Sequence, residues 1–339
     1  MRRIALPLAM AAALALASQP AAPPGLAPEM ARIRIEATAA TPEDQRAGPA
    51  ARLDRARAAL DAGRPLLALY LVEMPWESAR AWTFVKSASG VTTPEAFVEK
   101  WTATGEPRAE TTPAPSRPRP LLLDAIAAAA EARGPTTYHA SRAYGEDAGV
   151  AAGMYYLGDS GAVMQFARFV RELQWPVTAA PPALRAITGE LNALDADMTR
   201  AYETMDRASH PSYISASAAL KQAKTLNAGD RHAGALFQYL LARFVFAPLR
   251  GPAGADATAE RIAAARAALP DGDHSVAELF LQLAEEGISG SQPAQRRGAA
   301  AVLDDVLPAY LAAIAPPATT APASAAARVT ITLVRWPYT

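Results

Sequence analysis

Apolar residues recur every three or four positions through most of the chain, which is the spacing of one face of an α-helix. The clearest stripe lies in the segment 181–209 and consists of Leu184, Ile187, Leu191, Leu194, Met198, Ala201 and Met205. Similar patterns fill the segments 51–103 and 121–314. The sequence therefore predicts an all-α protein in which Met198 and Met205 pack in the core.

Two short segments alternate apolar and polar residues instead. These are 31–39 (ARIRIEATA) and the C-terminal segment that begins at Arg328. A period of two is typical of a β-strand with one buried face. The sequence predicts a short strand near each mature terminus, and the two strands either pair with each other or add to the edge of a partner's sheet.

Stretches rich in proline or of low complexity divide the chain into units. The predicted segments are a disordered leader (18–30), an N-terminal strand and helical unit (31–103), a Pro-rich linker (104–120), a main helical domain (121–314), a low-complexity linker (315–327) and a C-terminal strand (328–339).

The first seventeen residues have the layout of a secretory signal. Arg2 and Arg3 precede the apolar run 4–17, which ends in the small-residue pattern of a cleavage site. The run is shorter than the roughly 20 residues of a membrane-spanning helix. We expect 1–17 to be a signal peptide and the mature protein to be periplasmic or secreted, with no transmembrane segment. An uncleaved N-terminal anchor is the alternative.

Composition excludes several kinds of chemistry. The chain has no cysteine, so disulfides, a thiol nucleophile and thiolate metal sites are absent. Basic and acidic residues are equal at 33 each, which gives no net field to attract nucleic acid. The sequence contains neither a His-Glu-x-x-His motif nor a P-loop. We therefore predict no metal site, no cofactor and no nucleic-acid partner.

Four predicted helix junctions share a pattern in which a glycine precedes a helix dense in Leu, Phe and Tyr. The glycines are Gly63, Gly158, Gly229 and Gly272, and three of them are followed at once by aspartate. Glycine adopts the left-handed conformation that ends a helix, and Asp or Ser caps the next one. The pattern predicts a series of antiparallel helix pairs.

These junctions resemble the tetratricopeptide-repeat hairpin, whose turn is also Gly-Asp. Ala277 and Ala284 follow Gly272 at that family's small-residue positions, and Ala68 follows Gly63 at the first of them. The resemblance implies hairpins stacked into an irregular solenoid or bundle that presents a surface to a protein or peptide partner.

The Gly-Asp-Ser-Gly sequence around Ser160 also occurs at the nucleophile of chymotrypsin-like proteases. Those proteases have an all-β fold and place a histidine and an aspartate beside the serine. Because helical patterns flank Ser160 on both sides, we predict that Asp159 or Ser160 caps a helix.

One catalytic candidate remains. Glu77-Ser78, Met164-Gln165 and Asn227-Ala228-Gly229 occur in the order of motifs that resemble those of soluble lytic transglycosylases. The resemblance implies that Glu77 is the general acid of a peptidoglycan-cleaving enzyme, which requires Glu77 to be buried in a cleft beside Met164 or Asn227. The alternative is that Glu77 lies in the first turn of a helix that starts near Pro75.

Three tryptophans, Trp76, Trp175 and Trp336, each neighbour a proline. This placement predicts rings at the ends of helices or strands, where they are partly exposed and anchor a partner. The alternative is that they pack across helix corners.

Taken together, the patterns predict an exported helical-repeat-like protein that binds or scaffolds a protein or peptide partner, with no catalytic constellation. The alternatives are the lytic enzyme with Glu77 and a small-ligand carrier with an apolar pocket between helices.

Overall fold

The computed structural model describes residues 23–108, 119–176, 179–250 and 256–315. Every regular element in these ranges is helical, which confirms the all-α prediction. The helices are α1 (Leu26–Ala40), α2 (Ala47–Asp61), α3 (Pro65–Ser87), α4 (Pro94–Thr104), α5 (Leu121–Asp147), α6 (Val150–Glu172), α7 (Thr188–Tyr202), α8 (His210–Ala228), α9 (His232–Phe246), α10 (Ala259–Ala267), α11 (Ser275–Ser289), α12 (Pro293–Ala301) and α13 (Leu307–Ile314). A π-helical turn, Val302–Val306, joins the last two.

The predicted N-terminal strand is wrong, because residues 31–39 lie within α1. The end of the predicted disordered leader, 26–30, also belongs to this helix. The buried side chains of α1 are Leu26, Met30, Ile33 and Ala37, which recur at helical spacing, whereas Ile35 is 71% exposed. The alternating pattern thus overlaps a helical stripe that begins upstream of it, and burial of the longer stripe decides the conformation.

The corner predicted at Gly158 is also wrong, since α6 continues through it without a break. The other three glycines do lie between helices. Gly63 and Gly272 have positive φ values of 72° and 144°, and beside Gly229 it is Asp230 that has a positive φ, 55°. Stacking of the helices as solenoid hairpins stays a prediction.

Pro75 does not start a helix but lies inside α3. A proline in a helix has no N–H for the carbonyl four residues earlier, which here is that of Leu71. The Nε of Arg52 donates to the Leu71 oxygen at 3.1 Å. A side chain from α2 therefore supplies the missing donor, and the helix passes through the proline.

Within the predicted stripe over 181–209, only α7 is α-helical, and Arg207–Ser209 form a short 3₁₀ helix. Ile187, just before this helix, donates its backbone N–H to the side-chain oxygen of Asn227 at 2.9 Å. Met198 is buried as predicted, whereas Met205 lies beyond the helix end and is only partly buried.

One continuous hydrophobic core contains residues from every described α-helix except α4, whose Phe97 and Trp101 belong to a smaller cluster with Tyr138, Met154 and Leu157. The segments on the two sides of the predicted linker 104–120 therefore share buried contacts. Gln282 of α11, fully buried, accepts a hydrogen bond from the backbone N–H of Leu67 at 2.9 Å. The domain boundaries stay predictions, and the predicted signal peptide, the C-terminal strand and Trp336 lie outside the described residues.

Within the ranges that the structure describes, none of the helices is long and apolar enough to cross a membrane.

Candidate functional site

Helices α3, α5 and α6 approach one another closely because glycines lie at their contacts. A Cβ on Gly158 of α6 would stand 2.8 Å from the Cβ of Phe84 on α3, which is too close for any larger residue. A Cβ on Gly134 of α5 would stand 2.6 Å from the sulfur of Met164 on α6. The glycine that the sequence suggests as a helix end therefore serves close helix packing.

Polar side chains from these three helices meet beside the close contacts. One guanidinium nitrogen of Arg133 on α5 donates to Glu73, at 2.8 Å, and also to Glu77, both on α3. The Glu77 side chain is only 10% exposed, whereas that of Arg133 is 37% exposed. Asp159 on α6 is partly buried and interacts electrostatically with the same arginine. Three carboxylates therefore share one cation.

Burial shifts the protonation of two of these acids. It raises the pKa of Asp159 to about 6, although Arg133 opposes the shift and Glu73 adds to it. Burial also raises the pKa of Glu77 well above its ordinary value, against the attraction of Arg133, and Glu73 and Asp159 contribute in the same direction. Such shifts are frequent at functional sites, and they also occur in structural ion-pair networks.

A row of aromatic rings continues from these acids. Trp82 of α3 lies 5.0 Å from Tyr155 of α6, measured between ring centroids, and Tyr155 lies 5.4 Å from Tyr156. Tyr156 stacks on Tyr144 of α5 at 4.0 Å. Tyr144 is 42% exposed and the other three rings are partly exposed. Because the rings are ordered by one another, they offer a preorganised surface.

The helical register joins the rings to the acids. Asp159 follows Tyr155 and Tyr156 by four and three positions, so it lies on the same side of α6 as both. Ser78, next to Glu77, precedes Trp82 by four positions, and its hydroxyl lowers the pKa of Tyr155 against the larger raising effect of burial. We call the combined surface the acid–aromatic surface; it comprises Glu73, Glu77, Trp82, Arg133, Tyr144, Tyr155, Tyr156 and Asp159.

The predicted helix cap at Asp159 or Ser160 is wrong, because both residues lie in the interior of α6. Ser160 is 1% exposed, and its hydroxyl donates to the Leu157 carbonyl at 2.7 Å. That bond satisfies the hydroxyl locally, so Ser160 is not presented to a substrate.

Two of the three tryptophans predicted as partner anchors, Trp76 and Trp175, are not exposed. Trp76 is 4% exposed within α3, where it stacks on Phe169 at 4.8 Å, and Trp175 is 6% exposed just after α6. The expected partial exposure is therefore wrong for both rings, which belong to the main core. Their role as anchors stays a prediction, but neither position offers an exposed ring to a partner.

A catalytic Glu77 requires burial and a position beside Met164 or Asn227, and the structure shows the burial. Arg133, the partner of Glu77, precedes Gly134, which contacts Met164. Asn227, in contrast, is engaged at the start of α7, where its amide group bonds to the Ile187 backbone and the Thr188 hydroxyl. Met164 therefore lies beside the residue that follows Arg133, and Asn227 caps the start of α7.

A cavity of about 470 Å³ lies between the end of α7 and the end of α9. Its walls include Arg200, Asp206, Ser209, Leu249 and Arg250. This lining is largely charged and polar, unlike the apolar pocket that a carrier requires. Among the residues that the structure describes, no three His, Asp or Glu side chains are grouped as a metal site would require.

Part of the acid–aromatic surface could have been predicted from the segment that overlaps the Gly-Asp-Ser-Gly sequence. In YYLGDS, two tyrosines precede an aspartate at helical spacing. A continuous helix through this segment would have placed all three side chains together. Arg133, on another helix, gives no local signal at all.

Comparison of the chain with protein-family models, with curated proteins and with solved structures found no match to any of them. The function is therefore inferred from the acid–aromatic surface itself.

Proposed function

We propose that this protein binds a protein or peptide partner on the acid–aromatic surface. The observation that carries the proposal is the row of partly exposed rings, from Trp82 to Tyr144, that lies directly beside carboxylates sharing a single arginine. Trp and Tyr dominate the binding energy of many interfaces, because they bury large areas at a small cost in side-chain entropy.

The position of the rings supports recognition better than a purely structural role. Fully buried rings such as Phe166 and Phe280 fill the main core, whereas the four rings of this row keep contact with solvent. They are held by α3, α5 and α6, whose close packing limits movement. A ligand that stacks on them meets side chains that are already ordered, which reduces the entropy lost on binding.

Selection of peptides from a displayed library against the full-length protein tests the proposal. We expect enriched peptides to lose at least about tenfold in affinity, roughly 1.4 kcal/mol, when Trp82→Ala and Tyr156→Ala are combined. Tyr202→Ala is the matched control, because Tyr202 is 53% exposed and lies outside the surface. Equal binding to the wild type and the double variant, or loss only in Tyr202→Ala, would refute the proposal.

A second candidate is a glycan-cleaving enzyme with Glu77 as its general acid. It is favoured by the burial that raises the pKa of Glu77, and by the position of Met164 against Gly134, the residue that follows Arg133. The ion pair with Arg133 counts against this enzyme. The pair stabilises the ionised carboxylate of Glu77, whereas a general acid must be protonated. Release of soluble fragments from peptidoglycan that disappears in Glu77→Gln would support this enzyme, and no release by the wild type would exclude it.

We also propose that the protein is exported, on the signal-like pattern of residues 1–17. Mass spectrometry of the protein from the envelope fraction is expected to find a chain that begins at Ser18. A chain that keeps its first residues would favour the uncleaved anchor.

A further inference from the structure

We propose that the group bound at the acid–aromatic surface is a basic side chain, lysine or arginine, of the partner. This inference rests on the proposed function and adds the chemistry of the ligand to it. Two properties of the surface support it independently, namely its balance of charge and the stacked rings beside the acids.

The acid–aromatic surface has more acidic than basic side chains, so it can accept one more cation. Glu73 and Glu77 extend from α3 and Asp159 from α6, and Arg133 on α5 is the cation bonded to the first two. The next guanidinium, Arg52 on α2, already donates to the Leu71 carbonyl and lies over the ring of Tyr70 at 5.4 Å. It acts on Glu77 only as a minor attraction. A ligand cation would neutralise the excess of acid.

The rings favour the same ligand. The faces of Trp and Tyr attract ammonium and guanidinium groups, most strongly when water is excluded. The chain already forms such pairs within itself, with Arg142 over Trp101 at 5.2 Å and Lys100 over Phe84 at 5.4 Å. Tyr155 and Tyr156 lie one helical turn from Asp159, so a cation bound to that carboxylate would lie within reach of the rings.

Protons and the ligand would compete for the same carboxylates. Burial raises the pKa of Asp159 to about 6, so part of the population carries a proton on this carboxylate near pH 6. A bound cation stabilises the ionised form, and the displaced protons pass to the buffer. Binding should therefore release protons and strengthen as the pH rises through about 6.

The experiment is calorimetric titration of the full-length protein with pentalysine and with its Nε-acetylated counterpart, which keeps the length but lacks the side-chain charges. We expect pentalysine to bind at least about tenfold more tightly. Its heat of binding near pH 6 should also depend on the ionisation enthalpy of the buffer, as proton release requires. Asp159→Asn should weaken binding severalfold, and Asp195→Asn, an exposed acid of α7, should not.

Equal affinity for the two peptides would overturn the inference, as would unchanged binding by Asp159→Asn. Far-UV circular dichroism and the unfolding midpoint confirm that each variant is folded. If displayed peptides without Lys or Arg bind and depend on Trp82 and Tyr156, the proposed function stands and this inference fails. If pentalysine binds equally well to the Trp82→Ala and Tyr156→Ala double variant, the proposed aromatic site fails instead.

Discussion

Arg133 is the residue on which the electrostatics of the acid–aromatic surface depend most directly. One of its nitrogens donates to both Glu73 and Glu77. Its charge also limits the rise in the pKa of Asp159 that burial causes. Without it, the three acids would face one another with only the minor attraction of Arg52 on Glu77. The arginine therefore makes it possible for a buried glutamate to remain in α3.

Replacement of this arginine tests that role. We expect Arg133→Met to lower the free energy of unfolding by about 1–3 kcal/mol at pH 8, a value reduced for the partial exposure of the arginine. The loss should be smaller at pH 5, where protonated carboxyls no longer repel one another. Urea denaturation at both pH values measures this, and an equal loss at both would contradict the account.

Asp159 makes the free energy of unfolding fall as the pH rises. Its pKa is about 6 in the folded protein and ordinarily 3.8, so the folded state binds the proton more tightly than the unfolded state does. The resulting stabilisation is complete below about pH 4 and is lost as the pH rises through about 6. We expect Asp159→Asn to be more stable than the wild type at pH 8 by about 1–2 kcal/mol, with the difference shrinking as the pH falls and nearly gone at pH 4.

The control for this prediction is Asp195→Asn on α7, whose side chain is 55% exposed and pairs with Lys224. Its unfolding curves should differ from those of the wild type by a similar small amount at both pH values. If Asp159→Asn shows the pH dependence of the wild type, the carboxylate does not titrate as described.

At the scale of the element, α6 depends on glycine at one position and not at another. A Cβ at Gly158 would meet Phe84 at 2.8 Å and the Ala81 carbonyl at 3.0 Å, whereas nothing lies within 4 Å of a Cβ at Gly161. We expect Gly158→Ala to destabilise the protein by about 1–3 kcal/mol, because α3 and α6 must separate. Gly161→Ala in the same helix should stabilise it by up to about 1 kcal/mol.

Thermal or urea unfolding of these two variants makes the comparison. Similar stabilisation in both would mean that Gly158 has no packing role and that α3 and α6 can separate at little cost.

The elements show which parts of the fold could be predicted from sequence. Long apolar stripes predict the helices of the main body, because burial of such a stripe outweighs local preferences. The segment 31–39 fits both the strand period of two and the helix period of 3.6. It is helical because Leu26 and Met30, upstream of it, are buried on the same helical stripe. Gly158 looks like a helix end because its contact with Phe84 is distant in sequence.

The candidate site is harder to predict for the same reason. Glu77 could be selected from its neighbours in sequence, but Arg133 and Asp159 join it only through packing of three helices. The neighbouring prolines predict exposed ends for Trp76 and Trp175, yet both rings are buried, because a proline does not determine which way the adjacent ring points.

At the scale of the whole molecule, distant helices are tied together by buried and partly buried polar contacts. Glu131 of α5 is 8% exposed and bonds to Arg171 of α6 and to Arg231, which precedes α9. Arg55 of α2 bonds to Glu286 of α11 at 2.9 Å. The pair of Arg55 and Glu286 crosses the predicted boundary between 31–103 and 121–314.

We therefore expect these two segments to unfold together. Urea unfolding followed by far-UV circular dichroism and by tryptophan fluorescence should give coincident transitions. Two separate transitions would indicate that the predicted linker divides independent folding units.

The central claim is that the acid–aromatic surface is where a partner binds. The most direct test is amide hydrogen exchange of the full-length protein with and without a peptide selected from the displayed library. We predict slower exchange in the segments 73–83 and 152–160, which carry the acids and rings of α3 and α6. Unchanged exchange there, with slowing confined to the cavity around Arg200 and Ser209, would contradict it.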